Sequence, residues 1–309
     1  MQRIEKKYYG VIVPMVTPLK NNWKLDSHAV TNILNTFKEG NVNPFILGTT
    51  GESVSLSSAV KLNLVKEVLD IKGKNMTVFA GISSNCFSDS VEEAEKYAVL
   101  GVDAVVAHLP FYYPLSSEQI FKYYEKLADA ITCPLILYNN PITVKQSIPL
   151  EIAEQLSHHP NIAGIKDSER GIERLEDSIR LWKNRSDFVF LVGWSVQSAY
   201  SLLNGADGIV PSTGNLVPGL YKQLFDSAVS GDKSKANELQ EITNRITDFY
   251  MKNRNLSQSI PSLKFLMSLN GLCQPYVTPP LDTVDREEEE RLKRINESEL
   301  HELIQLKKV

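Results

Sequence analysis

Short, nearly unbroken apolar runs recur along this chain, and most are followed by a segment with helical periodicity. The runs fall at residues 10–16, 45–47, 77–80, 104–107, 135–138, 162–165, 188–192 and 208–210. None alternates apolar with polar residues, which is the pattern of parallel strands covered on both faces. Between them lie apolar stripes at helical spacing. Val30, Ile33, Leu34 and Phe37 form one, opened by Asp26-Ser27 and closed by Gly40. Ile120, Tyr124, Leu127 and Ile131 form another behind Ser116-Ser117, and Leu175, Ile179 and Trp182 a third. Leu220, Leu224 and Ala228 make a fourth, stopped by Gly231.

Eight strand–helix alternations in roughly 225 residues predict an α/β chain folded as a (β/α)8 TIM barrel. An open doubly wound sheet competes, because local pattern does not reveal closure. The count of eight, and the lack of a GxGxxG after the first strand, favour the barrel. Beyond Gly231 only helical patterns remain: Leu239, Ile242, Ile246 and Phe249 mark one, residues 261–269 a second, and residues 285–308 a charged third. Residues 1–230 are thus expected to form the barrel with its catalytic site, and 231–309 a C-terminal helical extension without a low-complexity linker.

Composition narrows the partners. The 33 Lys and Arg against 37 Asp and Glu give a formal charge of −4, with no basic footprint for nucleic acid or an anionic membrane. No apolar run approaches the roughly 18 residues needed to span a bilayer. The charged N-terminal residues lack the pattern of a signal peptide. Three scattered cysteines, Cys86, Cys133 and Cys273, form no CxxC and no disulfide framework. A reduced, cytoplasmic protein is expected.

In a barrel the chemistry sits where strands end. After the second strand, Gly48-Thr49-Thr50-Gly51-Glu52 offers backbone N–H groups and two hydroxyls to a small anion, although a plain turn capping the next helix would read the same. No Gly-Lys-Ser/Thr follows, so it is not a P-loop. After the fifth strand, Tyr138 heads Tyr-Asn-Asn-Pro; its phenol can relay protons, or simply rest at the core's rim. After the sixth, Gly164-Ile165-Lys166-Asp167-Ser168 ends an apolar strand on a lysine. Desolvation there would lower its pKa and release a neutral amine able to attack a carbonyl. The alternative is a lysine that snorkels to the rim or pairs with Asp167. After the fourth strand, Pro110-Phe111-Tyr112-Tyr113-Pro114 is a stiff aromatic projection suited to its own barrel mouth or to a neighbouring subunit. The five histidines show no HExxH and no i, i+4 pair, so no metal site is expected. No G-x-S-x-G elbow of a hydrolase is present.

Taken in order, GTTGE, PFYYP, YNNP and GIKDS, with an N-terminal VPMVTPL, an ADG at the eighth strand and a helical tail, resemble the class I pyruvate-dependent aldolases grouped as dihydrodipicolinate synthase and N-acetylneuraminate lyase. The resemblance spans essentially the whole chain. It implies that Lys166 forms a Schiff base with a 2-oxo acid, typically pyruvate, and that Tyr138 shuttles protons. Thr49 and Thr50 would hold the carboxylate, and Tyr112 would cross a subunit interface to complete a relay Thr49–Tyr138–Tyr112. Gly193 and Val210 would present carbonyls near the adduct. It further implies a homotetramer built as a dimer of dimers, and chemistry on an imine that requires no cofactor.

The departures concern the partner substrate. Thr143 stands where the synthases carry an arginine for the semialdehyde carboxylate. Trp194, Ser195 and Val196 follow Gly193, where sialic acid lyases carry an acidic pair. PFYYP and Ser212 resemble the lyase branch, and Pro211 departs from both branches. A substrate pocket of Thr143, Trp194, Ser195 and Ser212, hydroxylated and without charge, is expected to suit a five- or six-carbon 2-oxo-3-deoxy sugar acid. The leading reading is therefore a lyase that cleaves or forms a carbon–carbon bond to pyruvate, with an aldehyde as partner. A 2-oxo acid dehydratase or deaminase, 4-hydroxy-tetrahydrodipicolinate synthase or N-acetylneuraminate lyase proper, and an idle 2-oxo-acid-binding protein remain the alternatives.

Overall fold

The computed structural model describes residues 6–305. Its strands are β1 (Gly10–Pro14), β2 (Asn43–Ile46), β3 (Phe79–Gly81), β4 (Ala104–His108), β5 (Leu135–Asn139), β6 (Ile162–Asp167), β7 (Val189–Val192) and β8 (Gly208–Ile209). All pair in parallel with their chain neighbours, and β8 returns to β1 through Gly10–Gly208 and Val11–Ile209. The sheet is a closed barrel, which settles the choice left open by the sequence and leaves no edge strand unpaired. Among the described residues no helix is long and apolar enough to cross a membrane.

Closure explains the unbroken apolar runs. Ile12, Phe45, Phe79, Val106, Ile136, Val189 and Leu191 fill the inside of the barrel. Their neighbours Val11, Val13, Val105, Ala107, Leu135, Leu137 and Ile165 point outward into the larger core beneath the helices. Each strand is buried on both sides, so neither face needs polar residues.

The helices are α1 (Ser27–Glu39), α2 (Ser58–Ile71), α3 (Phe87–Leu100), α4 (Ser117–Ala130), α5 (Pro141–Val144), α6 (Leu150–Leu156), α7 (Ile172–Trp182), α8 (Ser198–Asn204) and α9 (Pro218–Ser230). The Asp26 carboxylate caps α1 at the amide of Ala29, and Ser116 with Gln119 closes a capping box on α4. Gly231 ends α9 with φ 86°, a left-handed C-cap that glycine adopts without steric cost.

Beyond it lie α10 (Lys233–Met251), α11 (Leu256–Leu269) and α12 (Arg286–Ile295), then a π turn at Asn296–Leu300 and α13 (His301–Gln305). The second of these helices starts five residues before the Pro261 at which the sequence reading began it, because Asn255 and Gln258 form a capping box ahead of the proline. The expected end of the charged helix at residue 308 lies outside the described residues.

The extension is bolted to the end of the barrel where the strands finish. Thr247 and Tyr250 of α10 hydrogen-bond Thr213 at 2.6 and 2.9 Å, and Tyr250 also meets Ser212 at 2.7 Å. Gln240 accepts from the amide of Ala199 and donates to the carbonyl of Ser195. Deeper still, Lys264 of α11 meets Glu52 at 2.6 Å with both side chains fully buried. Glu52 lies in the loop after β2 at φ 58°, and its second oxygen accepts from the amide and hydroxyl of Thr278. Lys264 also donates to the carbonyl of Tyr276, so each member of the pair has a further hydrogen-bond partner.

Removing one partner of such a pair strands a charge in a dry interior, at a cost of about 3–5 kcal/mol. Lys264→Met is expected to lower unfolding stability by that amount in a urea titration. Arg245→Ala, which breaks an exposed pair with Glu299, should cost less than about 1 kcal/mol. Equal effects of the two would deny the buried pair its role.

Candidate active site

The polar ends of β4, β5 and β6 run past the apolar residues that mark them in the sequence, to His108, Asn139 and Asp167. Side chains alternate across a strand, so Lys166 enters the barrel while Asp167 leaves it. Register places Tyr138 level with both His108 and Lys166.

Asp167 does not pair with Lys166. On the outer side it takes Nε of Arg174 at 2.8 Å, Nδ2 of Asn139 at 2.9 Å and the amide of Glu169. Asn139 in turn accepts from the amide of Ile148, and Arg174 donates to its carbonyl. This cluster fixes the ends of β5 and β6 from behind.

Inside, the Nζ of Lys166 lies 3.8 Å from the centre of the Tyr138 ring and 4.8 Å from that of Phe45. The side chain is buried, and burial pushes the amine below the ordinary lysine range, with the Tyr138 phenol opposing that shift. The phenol oxygen accepts from Nδ2 of Asn140 at 2.9 Å and lies 3.3 Å from Oγ1 of Thr49. Burial would raise the phenol's pKa, but the charge of Lys166 and the bond to Thr49 together bring it below its usual value of 10. Burial thus favours the neutral amine, while the phenol is lowered only as long as Lys166 carries its charge, so the two groups titrate as a linked pair.

The loop after β2 is held from several sides. Gly51 donates its amide to Gly48 and accepts from the Thr17 hydroxyl at 2.7 Å, and the Glu52 amide donates to Thr49. Among the described residues the amides of Thr49 and Thr50 make no hydrogen bond and remain open to a ligand. Gly193 approaches β6 so closely that a β-carbon there would collide with Ser168.

A cavity of about 430 Å³ joins these groups. Of the residues expected from sequence, Thr49, Thr50, Tyr138, Lys166, Gly193, Val210, Ser195 and Ser212 line it, together with Trp194. Two do not. Thr143 turns its hydroxyl back to the carbonyl of Asn140 at 3.1 Å, completing the first turn of α5. Tyr112 is 74% exposed on its projecting loop and packs edge-on against Tyr113 at 5.0 Å, away from Tyr138. Asn85 and Gln146 hold that loop through the amides of Phe111 and Leu115.

Three features escape the sequence reading. Asn140, the second asparagine of YNNP, touches the phenol. Asp248, Lys252 and Arg254 bring the helical extension to the cavity wall, which residues 1–230 were expected to build alone. Arg170 lines the cavity as well, so the expectation of an uncharged pocket is corrected. Its signal was its place, four residues after Lys166 in the loop that leaves the same strand.

His108, set aside with the other histidines, lies with its ring 6.1 Å from that of Tyr138. Its Nδ1 is 2.7 Å from the carbonyl of Leu109 and therefore carries a proton, while burial keeps the ring on the neutral side of its usual range. Among the described residues no group of three His, Cys, Asp or Glu is arranged to hold a metal ion.

The depressed amine is testable directly. Under limiting acylating reagent at rising pH, modification of Lys166 followed by peptide mass spectrometry should reach half its maximum below the value of about 10.4 for an ordinary lysine. The sign follows from desolvation, which disfavours the ammonium. A midpoint at or above that value would contradict it.

The chain and its fold are similar to those of known proteins. The model of the dihydrodipicolinate synthetase family matches residues 7–299. A DapA-like lyase of Thermofilum pendens is 30% identical over 94% of this chain and 96% of its own. The 4-hydroxy-tetrahydrodipicolinate synthase of Pseudoalteromonas atlantica is 30% identical over 76% of this chain and 80% of its own. Among solved structures, dihydrodipicolinate synthase from Bacteroides thetaiotaomicron superposes with a TM-score of 0.88 at 30% identity, over 94% of this chain and 98% of that one. The Acinetobacter baumannii synthase complexed with pyruvate gives 0.85 at 26% identity, covering 93% and 97%.

Proposed function

Because this chain belongs to the dihydrodipicolinate synthetase family, we propose that it is a metal-independent class I lyase working on pyruvate or a 2-oxo-3-deoxy acid through a Schiff base at Lys166. The observation that carries the reading is the amine itself: buried, without a carboxylate partner, and seated on the ring of Tyr138. The neutral amine adds to the C2 carbonyl and water leaves as the protonated imine forms. That imine draws the electron pair of a breaking C3–C4 bond, giving an enamine and an aldehyde; carbon–carbon bond formation is the reverse. Tyr138, held by Thr49 and Asn140, moves the protons, and the open amides and hydroxyls of Thr49 and Thr50 take the C1 carboxylate. Gly193 and Val210 stand on the far wall.

Tyr112 enters the same reading from outside. A stiff aromatic loop held away from its own site is suited to reach Tyr138 of a second copy, in a homotetramer assembled as a dimer of dimers. The protein would work in the cytoplasm, in keeping with three cysteines that stand unpaired.

Borohydride added with pyruvate should leave one reduced adduct per chain, on the peptide carrying Lys166, and Lys166→Ala should abolish it. An adduct on another lysine would refute the assignment.

Tyr138→Phe keeps the ring beneath the amine and is expected to lose about 10²–10⁴-fold in turnover while still forming the imine. Tyr112→Phe should lose turnover in the same direction if the relay crosses subunits. Unchanged turnover would remove either phenol from the mechanism.

A further inference from the structure

We propose that Arg170 binds an oxyanion, a carboxylate or a phosphate, at the end of the substrate remote from Lys166; this rests on the Schiff-base reading above. Most charges on the cavity wall are already matched. Asp248 and Lys252 lie 3.8 Å apart, and Arg254 is held by Glu288 at 2.7 Å. The Lys166 amine is consumed by the imine. Arg170 has no hydrogen bond or ion pair among the described residues, although it lines the same cavity.

The acids that precede Arg170 are already taken, and Glu173 after it makes no ion pair with it. Asp167 belongs to Arg174, and Glu169 accepts from Asn139 at 2.8 Å and from Ser147, with Arg174 at 3.2 Å. The backbone supports the placement. Gly171 follows at φ 139°, a conformation that side chains rarely adopt, and it turns the chain into α7 directly after Arg170. An exposed guanidinium at a cavity mouth, with the carboxylates of Asp167 and Glu169 committed elsewhere, presents its planar N–H groups to a ligand.

Substrate orientation completes the geometry. Thr49 and Thr50 hold C1 and Lys166 holds C2, so the chain beyond C3 runs toward the mouth. Ser168 and Ser195 line its course and can meet hydroxyls on the way. An anionic end group then meets Arg170, which stands on a different loop from Thr143, the position expected from the resemblance to supply this contact. Being partly screened by solvent, the contact should weaken as salt is added.

The test measures imine formation by borohydride trapping, as the concentration of 2-oxo acid giving half-maximal adduct. Three ligands of similar length are compared: 2-oxohexanoate, with an uncharged end, 2-oxoadipate, with a carboxylate end, and 2-oxo-4-phosphonobutanoate, with a phosphonate end. At least one anionic ligand is expected to reach half-saturation at a concentration about tenfold lower than 2-oxohexanoate, and the better of the two identifies the oxyanion. Arg170→Ala should erase that advantage, and Arg170→Lys should restore part of it. Equal half-saturation by all three in the wild-type protein, or an anionic advantage that survives Arg170→Ala, would overturn the proposal. Failure of wild-type protein to trap pyruvate would instead refute the Schiff-base reading on which it rests.

Discussion

A strand turns successive side chains to opposite faces, and at the end of β6 that rule keeps two opposite charges apart. Lys166 goes into the barrel and Asp167 goes out, adjacent in sequence and divided by the sheet. Were they on one face, the carboxylate would hold the lysine as an ammonium, and the amine would have no lone pair to offer. The outward acid is used as a brace with Arg174 and Asn139, and this brace fixes the position of the inward base. The arrangement explains why the interior beneath Lys166 is aromatic. Phe45 and Tyr138 accept a cation on their faces well enough to seat it, but weakly enough to let it lose its proton.

The catalytic end is stiffened by buried polar contacts behind the cavity and along its wall. Thr17 holds the carbonyl of Gly51, Glu52 anchors the loop from beneath, and Thr247 and Tyr250 pin the loop after β8. Each is a buried polar contact with its partners satisfied, the kind that favours one arrangement over neighbouring ones. The barrel supplies the positions and the helical extension supplies much of the rigidity.

The fold was legible in the sequence because two-sided burial leaves a plain mark, an unbroken apolar run. Strand ends were not: Leu47, read as the last strand residue, takes φ 56° and begins the loop, while Asn139 and Lys166-Asp167 continue strands beyond their apolar stretch. Hydropathy stops where a strand turns functional, so the reading ended the sixth strand one residue short of its lysine. The inner half of the site, Lys166, Tyr138 and Thr49, was visible because each sits at or just beyond the end of an apolar run. Asn140 lay inside a motif read for its tyrosine alone. Asp248 near the end of α10, and Lys252 and Arg254 in the turn after it, are ordinary surface residues until the extension is docked on the barrel, and no local pattern says where it docks. Thr143 failed in the other direction, since its hydroxyl satisfies a nearby carbonyl instead of facing the cavity.

The bond between Glu52 and Lys264 joins residues 212 positions apart. A ribosome delivers the loop of Thr49 and Thr50 early and the helix that fixes it near the end of translation. The strands around Lys166 are made in the interval, before that loop has its lower support. An unfinished chain therefore has the strands around Lys166 complete while the loop after β2 still lacks the buried partner that anchors it.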